Sequence, residues 1–159
     1  MRKLPSRNER SVPSESDLAL LETLFKRRLP ESYKSFLRTN NNVWLTAGSE
    51  ETLLPDQVPI YVDRFYDAIS RSGALPELVK ENQDYGHRLP AETITIGSDV
   101  YGNQILLMLE GEDVGYVLIW DHDNEGFEDA PPDPYHNVYE LASDIETFVD
   151  AIGRGSSEG

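Results

Sequence analysis

Apolar residues recur at helical spacing at both ends of this chain and in strand-like runs between them. Leu18, Leu21, Leu24 and Phe25 form a stripe at three- and four-residue intervals. Just ahead of it, Ser14-Glu15-Ser16-Asp17 has the form of a capping box, with Ser14 accepting from the backbone and Asp17 reaching back. A first helix therefore starts near Ser14. Leu29-Pro30 closes it and opens a second, in which Tyr33, Phe36 and Leu37 share one face. Asn40-Asn41-Asn42 stops that helix, because Asn tolerates left-handed backbone. Residues 43–60 read as irregular, with Trp44 and Leu45 folding back onto the core and a short strand near Val58–Val62. Phe65, Ala68 and Ile69 predict a third helix from Asp63 to Ser72, ended by Gly73, and Pro76 opens another through about Gln83.

The period then changes. Thr93–Ile96 is a strand leading to a turn, and Gly102-Asn103 is a two-residue turn signal. Gln104–Leu109 is almost wholly apolar and predicts a central strand covered on both faces. Val114–Trp120 alternates, with Val117 and Ile119 on one face and Tyr116, Leu118 and Trp120 on the other. Residues 121–134 form an acidic, proline-bearing loop, and His136–Leu141 an edge strand. Ser143 and Glu146 have the spacing of a second capping box, ahead of a helix that buries Ile145, Phe148, Val149 and Ile152. Helices segregated from a run of strands predict an α+β fold: a single domain over 14–152, with a central antiparallel sheet packed by helices. Residues 1–13 read as a disordered basic N-terminus and 153–159 as a flexible Gly/Ser tail.

Charge adds what periodicity does not show. The chain has 159 residues and a formal net charge of −15. Residues 1–88 hold thirteen acidic and thirteen basic side chains; residues 89–153 hold fifteen carboxylates and no Lys or Arg. One sign of charge on a folded sheet region projects a negative field that repels nucleic acid and attracts a basic protein. The absence of Cys excludes disulfides and thiolate metal sites and fits a reducing compartment. No apolar run approaches a membrane span, and the basic N-terminus is followed by no apolar stretch of a secretory signal. The cytoplasm is the expected location.

Four separated pieces match one family pattern. They are Leu29-Pro30-Glu31-Ser32-Tyr33-Lys34-Ser35-Phe36-Leu37 with its Asn turn; Ile94-Thr95-Ile96-Gly97-Ser98-Asp99 with Gly102-Asn103 and the apolar run; Val117-Leu118-Ile119-Trp120-Asp121-His122-Asp123; and Tyr139 to Phe148. In order and spacing they resemble the SMI1/KNR4 family of the SUKH superfamily across roughly residues 14–152. The resemblance implies a non-enzymatic α+β domain. Bacterial members are interpreted as immunity proteins that bind and neutralise a cognate toxin, often a nuclease; fungal members act in regulating cell-wall synthesis. The chain departs from the pattern twice. Asn40-Asn41-Asn42 stands where Asn-Gly-Gly is usual, a change that preserves the turn because Asn also adopts positive φ. Val100-Tyr101 stands in a loop that is often Gly-rich, and marks a partner-specific contact.

Catalytic and metal motifs are weak by comparison. Asp121-His122-Asp123-Asn124-Glu125-Gly126 imitates the start of a calcium loop, but Pro132 stands where a bidentate Glu belongs, and a strand precedes it. His87, His122 and His136 lack the spacing of a zinc helix, and nucleophile and phosphate-loop motifs are missing. No cofactor or metal is expected. The expected partner is a basic protein, in the leading reading a toxin domain; a regulatory adaptor of the fungal type is the alternative, and a metal-dependent hydrolase using the 121–125 carboxylates ranks last. The candidate contact residues are Asp99, Tyr101, Trp120, Asp121, Asp123, Glu125, Phe127, Glu128, Asp129 and Tyr135. The aromatic members among carboxylates have the make-up of an interface anchor with a polar rim. Trp120 also fits a core position with its indole N–H near the surface.

Overall fold

The computed structural model of the chain describes residues 1–45, 51–53, 59–124 and 133–157. Helix α1 (Glu15–Phe25) opens with the predicted box: Ser14 Oγ accepts from the Asp17 N–H at 3.1 Å, and Asp17 Oδ2 accepts from the Ser14 N–H at 2.7 Å. Helix α2 (Glu31–Asn40) ends in the asparagine run, and Asn42 takes the left-handed conformation at φ 56°. Each of the three asparagines then holds a different segment. Asn40 accepts from the Leu4 N–H at 2.8 Å and donates to the Arg2 carbonyl at 2.9 Å. Asn41 accepts from the Ala68 N–H at 2.8 Å and donates to Asp67 Oδ1 at 3.0 Å. Asn42 accepts from the Trp44 indole at 3.3 Å.

Among the described residues, the strands form one six-stranded antiparallel meander in chain order: β1 (Glu51–Leu53), β2 (Pro59–Phe65), β3 (Thr93–Asp99), β4 (Gln104–Met108), β5 (Val117–Trp120) and β6 (Val138–Ala142). As the apolar run predicts, β4 is buried along its whole length, and β6 is an edge. β2 and β3 come together at a bulge. There a Cβ on Gly97 would collide with the Arg64 carbonyl oxygen, so glycine permits the close approach. Beyond Tyr66, β2 has left the sheet. α3 (Glu77–Tyr85) takes its place, and Asn82 bonds both the N–H and the carbonyl of Thr95, at 2.8 and 2.9 Å. A side-chain amide thus satisfies backbone groups that a strand neighbour would otherwise pair.

One sheet face packs against α1, α2 and α4 (Ile145–Ser157). Tyr33, Phe36, Phe65 and Phe148 run through this core as a chain of rings, with successive centroids 5.8, 4.9 and 6.4 Å apart. The other face carries a smaller cluster of Leu89, Leu106, Met108, Leu118 and Trp120. This is the predicted α+β architecture.

Four expectations are corrected. The helix over 63–72 does not form: β2 runs through Phe65, and Phe65, Tyr66 and Ala68 are all buried as the chain leaves the sheet, imitating helical spacing. The N-terminal residues, read as disordered, lack helix and strand but pack on the domain. Leu4 is fully buried, and Arg7 N–H donates to the Trp44 carbonyl at 2.8 Å. One apolar residue among cations gives no periodicity, so the sequence does not reveal this arm. α4 is capped by Asp144, which accepts from the Thr147 N–H at 2.8 Å and from its hydroxyl at 3.0 Å, rather than by Ser143. The helix also continues to Ser157 through the segment read as a tail. Gly153 lets the arm lie against it, since a Cβ there would strike the Arg2 side chain, and Arg2 pairs with Asp150 at 3.3 Å.

Two predictions follow from these ties. Leu4→Ala should lower stability by about 2–3 kcal/mol, the low end for a buried leucine because the arm can detach, as read from the denaturant midpoint. Asp67 supplies a pH dependence. Burial alone would raise its carboxyl, but hydrogen bonds from Arg71, the Ile69 N–H and Asn41 hold it below the ordinary 3.8. A depressed folded pKa stabilises fully above the unfolded value and loses that contribution as pH falls through the folded one. The melting temperature should therefore drop more steeply on acidification below about pH 4 in the native chain than in Asp67→Asn.

Candidate partner-binding surface

The β3–β4 hairpin is built by Asp99. Its Oδ1 accepts from the N–H groups of Tyr101 and Asn103 at 2.9 and 2.8 Å, and its Oδ2 from the Asn103 side chain at 2.9 Å. With Asp99 only 3% exposed, its carboxylate is occupied by the turn, which corrects its candidacy as a contact. The turn's effect is to push Val100 and Tyr101 outward, to 46% and 65% exposure. Tyr101 is thus presented to solvent. Trp120 is not. It is 1% exposed, with the Tyr85 ring edge-on at 6.1 Å and the Arg88 guanidinium 4.9 Å from its ring centroid. Its position on a central strand, under a helix end, makes it core.

The turn after β5 closes on itself. Asp121 accepts from the Asp123 N–H at 3.0 Å and from the Asn124 side chain. His122 Nδ1 donates to Asn103 Oδ1 at 2.7 Å, which joins this turn to the β3–β4 hairpin. Asp121, His122 and Asp123 offer ligand atoms within 4.8 Å of one another. Both Asp121 oxygens and His122 Nδ1 are engaged in hydrogen bonds, and among the described residues this cluster offers fewer than the six to eight oxygens that calcium takes. Asp121 is half-buried and Asp123 exposed, so the hairpin tip and this turn together place Tyr101 and two carboxylates at one end of the sheet. Glu125, Phe127, Glu128 and Asp129 lie outside the described residues.

Tyr135 leads to a second feature. Alternation along β4, β5 and β6 puts Leu106, Met108, Leu118, Trp120, Val138 and Glu140 on the face away from the main helices, and the register Leu106↔Leu118↔Glu140 and Trp120↔Val138 aligns them. Tyr85 and Leu89 pack over part of this face. Elsewhere it opens into a cleft of about 450 Å³ floored by Met108, Leu118 and Val138, flanked by Tyr116 and Tyr135, and edged by Asp113 and Glu140. Tyr135 donates to Glu92 Oε2 at 2.8 Å and sits 3.7 Å from the Met108 sulfur, so it lies across the sheet from β6 toward the start of β3.

The electrostatics of the cleft follow from what surrounds that phenol. Burial, the hydrogen bond to Glu92, and the charges of Glu92, Asp133 and Asp113 push Tyr135 up to about 12. The bond from Tyr135, a backbone bond and the more distant Arg27 hold Glu92 below its ordinary value. Among the described residues, the recess is edged by two carboxylates from separate stretches, Asp113 and Glu140, and lined by no Lys or Arg, while Glu92 and Asp133 act on the Tyr135 phenol. The alternating Tyr116-Leu118-Trp120 run marks this face in the sequence. The uniformly apolar β4 hides which part of it stays open.

No curated protein matches the chain in sequence. A family model does, over residues 13–151, which takes in everything from the α1 cap to α4 and leaves out the N-terminal arm. The chain belongs to the SMI1/KNR4 family (SUKH-1).

Proposed function

We propose that the protein is an immunity-type binding protein that neutralises a basic toxin domain by engaging it with its acidic sheet half. Family membership supports a binding role of the immunity type rather than catalysis. The observation that carries the reading further is the recess edged by Asp113 and Glu140, with no Lys or Arg in its lining among the described residues, set in a stretch whose formal charges are all negative. Such a surface speeds encounter with a cationic partner and disfavours neutral or acidic ones. Its apolar floor and exposed Tyr101 supply the desolvated contacts that hold a complex once formed. Where the toxin is a nuclease, the carboxylates take the place of the phosphates that its groove attracts. The turns flanking the sheet serve as the rim, in which Asp121 and Asp123 tune association rate more than residence time.

No helix among the described residues is long and apolar enough to cross a membrane, and the absence of cysteine suits the reducing cytoplasm in which a toxin would be met.

The reading expects a neighbouring gene encoding a large secreted protein with a variable C-terminal domain. That domain, purified, should bind the chain with an association rate that falls steeply with salt. Reversing Asp121, Asp123, Glu125 and Glu128 to Lys should slow association by about tenfold or more at low ionic strength and weaken protection of cells that express the toxin domain. Full protection and an unchanged rate in the reversed variant would overturn it.

A further inference from the structure

The chain's own arginines show what its aromatic recesses accept. The Arg64 guanidinium lies 4.7 Å from the Trp44 ring centroid and 5.0 Å from that of Tyr66, while bonding Glu77 at 3.0 Å and approaching Glu81 at 3.8 Å. Arg88 covers Trp120 at 4.9 Å and Tyr85 at 5.6 Å, on the same sheet face as the cleft. In both places a planar cation stacks on rings. At Arg64, carboxylates also take its N–H groups, the combination for which guanidinium is better suited than ammonium.

The cleft beside Trp120 repeats these ingredients, with no Lys or Arg in its lining among the described residues. It has two tyrosines, 116 and 135; a floor of Met108, Leu118 and Val138; and exposed carboxylates of Asp113 and Glu140 at its edge. Resting on the immunity-type reading, we propose that this cleft receives a single arginine side chain of the partner protein. Its aliphatic stem lies over Met108, Leu118 and Val138, and its guanidinium bonds Asp113 and Glu140 beside the tyrosine rings. The stem has apolar floor to cover, which a bare cation would leave wet, and the recess of about 450 Å³ is large enough for one such side chain. Tyr135 is fixed from behind by Glu92, so its ring is held ready rather than ordered on binding. The Met108 thioether adds a polarisable surface that adapts to the stem.

The test uses the full chain, isotopically labelled, and N-acetyl-arginine methylamide as the probe. Its uncharged isostere N-acetyl-citrulline methylamide and free guanidinium serve as controls. The arginine derivative should shift the amide signals of Met108, Tyr116, Leu118 and Val138 saturably, and the two controls should not. Asp113→Asn with Glu140→Gln, both on exposed side chains, should keep the native spectrum and weaken the probe by about tenfold. Equal shifts with citrulline, or shifts scattered over the acidic surface, would overturn the proposal. A toxin domain that binds the double variant as tightly as the native chain would also overturn it and leave the immunity reading standing. Saturable arginine binding with no toxin binding would do the reverse.

Discussion

Three consecutive asparagines at the end of α2 hold together parts of the chain that no regular element connects. Asn40 anchors the N-terminal arm, Asn41 anchors the chain as it leaves β2, and Asn42 turns the backbone left-handed and takes the Trp44 indole. A buried carboxamide has a donor and an acceptor side, so it can satisfy a neighbouring backbone the way another strand would. Asn82 does the same for Thr95, where β2 has given way to α3. With glycine at either of the last two positions of the run, the turn would survive and the ties would not. The asparagine run therefore fixes where β2 ends, and through β2 where the main core closes around Phe36, Phe65 and Phe148.

The sheet divides its two faces between folding and recognition. The face against α1, α2 and α4 buries the aromatic chain and most of the aliphatic core. The opposite face buries Trp120 and Leu106 beneath the end of α3 and leaves Met108, Leu118 and Val138 at the bottom of a recess. The edge strand β6 carries Glu140 on this face and Tyr139, 46% exposed, on the other, so its outer rim is polar where it meets solvent. This negative surface gives the recess a defined sign.

Much of this was legible in the chain, and the exceptions share a cause. The Ser14 box, the Asn stop, the buried β4 run and the edge position of β6 follow from local rules that the structure obeys. Phe65, Ala68 and Ile69 read as a helix because burial at three-residue spacing has no conformation of its own, and β2 fills it with a strand and an exit. Leu4 was invisible because one leucine makes no pattern. Among the contact candidates, Tyr101 and Asp123 are exposed as their settings suggest, while Asp99 and Trp120 are drawn inward by a turn and by a helix end contributed from elsewhere in the chain.

The sequence by itself determined the fold class, the order of most elements and the concentration of negative charge beyond residue 88, because periodicity, capping and composition are local properties that neighbouring residues express together. Only the tertiary structure decided which carboxylates meet. Asp113 and Glu140 edge one cleft, and Glu92, Asp113 and Asp133 act on Tyr135, because β3, β4, β5 and β6 pair in register and Tyr135 reaches across them. Register sets distances between residues far apart in sequence, and no local rule carries that information.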